Sequence, residues 1–240
     1  MPMQLLARIA EGLGIALDGQ QLGQFEEYYH LLVAANQRVN LTNVTAYDEV
    51  QRRHFGESLA VAAALYRVRV LQRGQGAHAI DLGAGAGFPG LPIKIAHLTL
   101  RLTLLEAAAR KTAFLEEVVE RLALSDVAVI TGRAESAARE SAHREAYDLA
   151  LARAVASLPV LVELALPFLR LGGVLAAPKG SRVAQEVAAS EPALRACGGR
   201  LLSTEPLHDS RLTLVLVEKV APTPPTYPRR PGIPTKRPLR

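Results

Sequence analysis

The sequence has no tryptophan, a single cysteine, two methionines and only 5% aromatic residues. One cysteine, Cys197, excludes an internal disulfide and a cysteine-built zinc site and fits a reducing compartment. No apolar run reaches the roughly 18 residues that a membrane span needs. Arg8 and Glu11 interrupt the apolar pattern of Met1 to Leu17, so that segment does not read as a secretory signal. The expectation is a soluble, cytoplasmic protein with no metal site. The last twenty residues lack acid altogether: residues 221–240 hold Arg229, Arg230, Lys236, Arg237 and Arg240 and neither Asp nor Glu. With five of the 28 bases there, the first 220 residues carry 23 bases against 23 acids, and the net charge of +5 belongs to the tail. Seven of the fifteen prolines also lie in it. That density argues against a helix or a central strand. An extended basic arm suits a polyanion; a merely solubilising tail is the plain alternative.

What is present is ordinary globular composition: 240 residues, 49% hydrophobic, 21% charged, mean hydropathy +0.13. This suffices for one sizeable core, with at most a small satellite. No internal repeat is visible. To about Arg73 the chain reads as helical. Leu5, Leu6, Ile9 and Leu13 share one helical face, and Leu22, Phe25, Tyr29, Leu32, Val33 and Asn36 another. Asn40 to Asn43 breaks the pattern, and Thr45 followed by Asp48 and Glu49 resembles a new helix start. From residue 77 short apolar runs alternate with amphipathic segments, as in βαβ units. Strands are expected at Ala77–Leu82, Leu100–Leu105, Val127–Ile130, Leu149–Ala152, Val174–Ala177, Leu201–Glu205 and Leu212–Glu218. Helices are expected at Leu91–His97, Arg110–Leu122, Ser136–Arg144, Leu158–Leu169 and Arg182–Ala196. Only Pro206 to Arg211 separates the last two strands, too short for a crossover, so they should pair antiparallel.

The run from Asp81 to Gly90 sits where the first strand ends and a helix begins. Its glycines let the backbone approach a ligand, and the helix start offers free N–H groups. Gly85, Gly87 and Gly90 formally match G-x-G-x-x-G, so a nicotinamide or flavin reading is weighed. Asp81 stands against it, because an acid in that crevice repels a diphosphate and tolerates the ammonium and sulfonium of S-adenosylmethionine. The terminal hairpin and the lack of a second catalytic domain also oppose it. Glu106 ends the second strand, 23 residues after Gly83, where an acid accepts from both hydroxyls of a ribose. Gly132 to Glu135 is placed to meet an adenine ring.

The run from Ile80 to Ile95 (Ile-Asp-Leu-Gly-Ala-Gly-Ala-Gly-Phe-Pro-Gly-Leu-Pro-Ile-Lys-Ile) resembles the RsmG family, also called glucose-inhibited division protein B. So do Val39-Asn-Leu-Thr42, Arg53-His-Phe-x-Glu-Ser-Leu59, Leu151-Ala-Arg-Ala-Val155 and Tyr227-Pro-Arg-Arg-Pro-Gly-Ile-Pro234. Glu57 stands where the family is expected to carry aspartate, and Pro178 where methionine is commoner. The resemblance implies an α/β, Rossmann-like class I methyltransferase. Its seven-stranded, mostly parallel sheet would end in an antiparallel hairpin, with an N-terminal helical cap (1–73), a cofactor domain (74–220) and an extended basic tail (221–240). It implies S-adenosyl-L-methionine as cofactor and N7 of one guanine in the decoding-region loop of 16S rRNA as acceptor. It also distributes the cofactor contacts. Gly83 and Phe88 would lie along the methionine end, Glu106, Ala107 and Ala108 along the ribose, Ala134 and Glu135 at the adenine, and Arg153 at the mouth.

Guanine N7 has a lone pair and no proton, so the reaction calls for positioning, and no side chain is expected as an obligatory acid or base. The base must be splayed out of the rRNA and stacked. Among Tyr47, Phe55, Phe88 and Tyr227, Phe88 is the one expected in the site. RNA contacts are expected from the basic cluster Arg52, Arg53 and His54, from Lys94, Arg110, Lys111, Arg153 and Lys179 around the sheet's carboxyl edge, and from Arg229, Arg230, Lys236 and Arg237 of the tail. The partner is 16S rRNA or the small subunit, and nothing in the sequence calls for more than a monomer. A small-molecule methyltransferase and a non-catalytic rRNA-binding assembly factor are the alternatives, separable by salt-dependent RNA binding and by cofactor affinity.

Overall fold

The computed structural model describes residues 3–72, 74–207 and 211–239. The expected boundary at Arg73, the middle of the Pro206–Arg211 link and the tail's Arg240 fall outside them. All seven expected strands form: β1 (His78–Leu82), β2 (Arg101–Glu106), β3 (Val127–Thr131), β4 (Tyr147–Leu151), β5 (Leu169–Lys179), β6 (Gly199–Pro206) and β7 (Thr213–Lys219). They make one sheet in the order 3-2-1-4-5-7-6. The first five are parallel, β7 runs antiparallel to β5, and β6 pairs antiparallel with β7.

Helices α1 (Gln4–Gly12), α2 (Gly19–Val39), α3 (Tyr47–Val50) and α4 (Glu57–Arg67) precede the sheet. Helices α5 (Gly90–Ala96), α6 (Ala109–Arg121), α7 (Ala134–Ala137), α8 (Leu158–Ala165), α9 (Val183–Ala189) and α10 (Glu191–Cys197) lie in the crossovers, and α11 (Ile233–Lys236) in the tail. Strand residues alternate faces. Ala79, Leu102, Leu104, Leu149 and Leu151 pack with α1, α2, α4, α5 and α6 into one core. Ile80, Leu82, Leu105, Ala150 and Leu175 pack with α7, α8 and α10 into another. The N-terminal helices therefore share a core with the sheet. Gln21 helps to join them: it completes the capping box with Asp18, and its amide donates to Ile95 O at the end of α5, 2.7 Å away.

Several expected elements are shorter, longer or divided. The helix expected over Ser136–Arg144 is only the turn Ala134–Ala137, because residues 139–142 are exposed and offer no apolar stripe. The helix expected to reach Leu169 ends at Ala165 in a 3-10 turn with Pro167, which lacks an N–H to continue the ladder. From Leu169 the chain is already β5, whose first half is hidden in sequence by Gly172, at φ 78°. The helix expected over Arg182–Ala196 divides at Ser190, with Pro192 in the first turn of α10. The start expected at Thr45 falls one residue later, with Ala46 at the N-cap position and no side-chain cap, and the following helix widens into a π-turn over Gln51–Gly56.

The tail departs most. It forms one helical turn, with Pro234 where no N–H donor is required, and it is docked rather than extended into solvent. Arg229 Nε and Nη2 donate to Glu163 Oε1 and Oε2 at 2.9 and 2.7 Å, and Glu163 is fully buried. Arg144 gathers the carbonyls of Thr223 and Tyr227 at 2.8 and 3.1 Å. Gly232 N donates to Glu135 Oε1 at 2.8 Å.

Two glycines test this packing. Gly198, at φ 78°, has no room for a Cβ, which would lie 2.2 Å from Ala221 O at the start of the tail. Gly23, in the interior of α2, faces open space. Gly198→Ala is expected to lower unfolding free energy by more than about 2 kcal/mol. Gly23→Ala is expected to raise it by about 0.5–1 kcal/mol. Urea denaturation of the two variants measures both signs.

Candidate active site

β1 ends at Leu82 and α5 begins at Gly90. Between them the chain bends through Gly83, Gly85 and Gly87, at φ 64°, 59° and 94°. The bend is held from below. Asp81 is fully buried, and its Oδ2 accepts from Gly90 N at 2.8 Å. A Cβ on Gly90 would sit 2.7 Å from that oxygen. Asp81 Oδ1 is buried without a partner. Burial pushes this carboxyl up to about 7, while the Gly90 N–H and the charge of Arg153 pull the other way. The bend is also stitched to β2: Gly83 N donates to Leu105 O at 2.8 Å and Gly85 N to Glu106 Oε2 at 3.0 Å.

A cavity of about 180 Å³ opens at the carboxyl ends of β1, β2 and β3, beside the point where strand order reverses between β1 and β4. Gly83, Glu106, Ala107, Ala134 and Glu135 line it. Asp81, Gly85, Gly87, Phe88 and Ala108 do not; of these, Gly85 and Ala108 bind the lining carboxylate of Glu106 through their backbone N–H groups. Glu106 Oε1 accepts from Ala108 N at 2.9 Å. Each of its oxygens spends one lone pair on the backbone and keeps another for a further donor. Leu164, Val155, Ala156 and Thr235 also line the cavity. Sequence reasoning missed them as site residues, and for Thr235 no motif could have found it. A slot lined by both polar and apolar side chains, an acid at the end of β2 and a bend without side chains fit S-adenosylmethionine.

Phe88 is not a free platform for a base. His54 stacks on it at 4.5 Å between centroids and Tyr28 at 5.5 Å. Tyr28 OH in turn donates to Ala86 O, so α2 and the π-turn clamp the Gly87-Phe88 corner. His54 adds no charge to the cluster with Arg52 and Arg53. It is buried, bonded through Nε2 to Thr42 Oγ1 at 2.8 Å, and pushed down to about 4 by burial and by the charge of Arg153.

A second cavity of about 490 Å³ shares Val155 and Ala156 with the first. Arg53, Glu57, Arg153, Lys179, Arg182 and Glu186 supply its charges. Arg153 Nη2 donates to Glu57 Oε2 and to Arg53 O, each at 2.7 Å, and its Nη1 is buried without a partner. Lys179 pairs with Glu186 at 2.9 Å. Arg182 and Glu186 were not expected there; a lysine-glycine pair ending a strand just before them is the available signal. Arg52 and Arg110 are exposed, and Lys111 is half-buried at the start of α6. Lys94 is misplaced by the sequence reading. It lies in the last turn of α5, at the opposite edge of the sheet, buried and donating to Leu98 O and Leu100 O. Arg229 is committed to Glu163, whereas Arg230, Lys236 and Arg237 are exposed. Among the described residues no group of acids, histidines and cysteine could hold a metal ion, and no helix is long and apolar enough to cross a membrane.

The fold and this site are those of a class I, S-adenosylmethionine-dependent methyltransferase. Among solved structures the chain is similar to a mutant form of MtNAS (TM-score 0.58, 15% identity, 92% of this chain and 83% of that one). It is also similar to a SAM-dependent methyltransferase from Aquifex aeolicus (TM-score 0.51, 15% identity, 65% and 89%). Residues 21–215 match the family model for rRNA small subunit methyltransferase G, GidB. Proteins called ribosomal RNA small subunit methyltransferase G are 46% identical in Roseiflexus castenholzii, over 99% of this chain and 100% of that protein, and 45% identical in Chloroflexus aggregans, over 98% of each. The chain belongs to the rRNA small subunit methyltransferase G family.

His54 and Asp81 impose opposite pH dependences on stability. His54 goes from an ordinary 6.5 to about 4 on folding, so its contribution is present above 6.5 and lost as pH falls through 4. Asp81 goes from 3.8 to about 7, so its contribution is present below 3.8 and lost as pH rises through 7. Between these limits they largely cancel. Relative to wild type, Asp81→Asn is expected to lose roughly 3 kcal/mol on acidification from neutral pH to about 4.5, and His54→Gln to gain a similar amount. Urea melts of the three proteins at both pH values measure this, and parallel pH profiles would contradict it.

Proposed function

We propose that this chain methylates N7 of a single guanine in the decoding-region loop of 16S rRNA, acting in the cytoplasm as a monomer. The observation that carries the reading is the larger, basic cavity joined to the cofactor cavity at Val155 and Ala156. The naming of its relatives for the small ribosomal subunit supports the substrate class. On this reading residues 1–73 and the rim of the sheet present the RNA, and residues 74–220 hold the cofactor and the base.

When bound, S-adenosylmethionine supplies a methyl group on a positively charged sulfur. Glu106 holds the ribose, and Gly83 admits the methionine end where a Cβ would press Val155 at 3.0 Å. Arg153 is fixed by Glu57 and by Arg53 O and keeps Nη1 for an acceptor on the base or its phosphate. The acids at this mouth, Glu57 and Glu186, are held in ion pairs with Arg153 and Lys179, and His54, pushed down to about 4, is a weak base that lines neither cavity. The site is thus poor in free bases, which suits a nucleophile with no proton to remove. Its contribution is alignment, worth several kcal/mol of barrier (on the order of 7–11 in the best intramolecular cases).

The test is methyl transfer from labelled S-adenosylmethionine to small subunits and to naked 16S rRNA from cells lacking the activity, with the labelled nucleotide identified by mass spectrometry. The expected product is one 7-methylguanosine in the decoding-region loop. Label elsewhere refutes the site, and cofactor binding without label refutes the acceptor. A substitution that stopped transfer while leaving both affinities intact would refute alignment as the whole contribution. For RNA binding, Arg53→Ala and Arg182→Ala are each expected to flatten the log–log salt dependence by about 0.7–0.9. Lys94→Met should leave that slope unchanged, as measured by filter binding across a salt series.

A further inference from the structure

The proline-rich tail is tied to the cofactor cavity at the cavity's own wall. Arg229 closes on Glu163 through its backbone N–H as well as its guanidinium, with the N–H at 2.9 Å, and the next residue after Glu163 is the lining residue Leu164. Gly232 N donates to the carboxylate of Glu135, itself a lining residue. Arg229 Nη2 also donates to Arg237 O at 2.7 Å, which folds the segment back on itself around α11. Between these anchors Pro234 is buried, and Thr235, the next residue, lines the cavity while exposed to solvent. Thr235 is therefore an uncovered wall residue on the adenine side, with Ala134, Glu135 and Leu164 around it.

We propose that residues 229–237 are a strap that completes the adenosine end of the S-adenosylmethionine site, with Thr235 as its contact, and that this is their role in place of an RNA-binding arm. The proposal rests on the reading of the smaller cavity as the cofactor site. The strap is held by one buried carboxylate and one lining carboxylate, so its position is set by the same two elements that shape the adenine slot. Coupling then runs both ways: a ligand against Thr235 holds the strap down, and a strap in place tightens the ligand.

The experiment compares the full-length protein, a truncation after Pro231 that keeps the Arg229–Glu163 pair, and Thr235→Trp, which fills the slot without changing charge. S-adenosylmethionine affinity is measured by calorimetry and folding by the melting temperature of the ligand-free protein. Both variants are expected to melt like wild type and to bind S-adenosylmethionine at least about tenfold more weakly, about 1.4 kcal/mol. Thr235→Trp is expected to keep its RNA affinity. In the full-length protein the cofactor is expected to slow tryptic cleavage after Lys236 severalfold. Wild-type cofactor affinity in Thr235→Trp overturns the contact, and wild-type affinity in the truncation overturns the strap. So does a truncation that loses only RNA affinity, or a cleavage rate indifferent to the cofactor. Failure of the full-length protein to bind S-adenosylmethionine is a different result: it removes the cavity assignment itself.

Discussion

A buried carboxylate beneath a glycine bend organises this molecule. Asp81 takes the first N–H of α5 and leaves no space for a side chain on Gly90. With the helix start fixed, the bend has to pass through positive φ three times, and its outer corner at Gly87 meets the hydroxyl of Tyr28. Tyr28 brings α2, Phe88 brings the π-turn through His54, and His54 lies within the field of Arg153 at the end of β4. One hydrogen bond at the end of β1 thus sets where the helical layer sits on the sheet.

Stability is not maximised around that bond. Buried side-chain polar atoms without partners are few among the described residues, and Asp81 Oδ1, Arg153 Nη1 and His54 Nδ1 are three of the five. An unpaired buried polar atom costs about 1–3 kcal/mol. These three cluster around the glycine bend and the mouth of the larger cavity. The π-turn fits the same pattern, since inserted residues in helices concentrate at functional sites. Gly56 closes that turn, and a Cβ there would lie 2.9 Å from Gln51 O.

The central parallel strands were legible because a sheet covered on both faces needs apolar runs there, and β6 and β7 because only a short link separates them. The glycine bend and Glu106 were legible because few other uses exist for those residue types at a strand end. What could not be read was long-range. Lys94 looks like any cation near a glycine motif until the direction of α5 carries it to the far edge of the sheet. Phe88 looks available until two rings from separate helices cover its faces. The tail's charge and proline content describe a solvated arm, and nothing local announces that Glu163, some 66 residues upstream, waits for Arg229. Composition carries no information about a partner so distant.

That separation has a consequence for the order in which the protein is made. Glu163 lies in the interior of the second core with no exposure of its own, and its counter-charge lies 66 residues further along the chain. Until Arg229 emerges, α8 lacks the guanidinium and the backbone N–H that its carboxylate binds in the folded protein. Every strand precedes that arginine in the chain, so the layer over the sheet's second face is settled after the strands have been made.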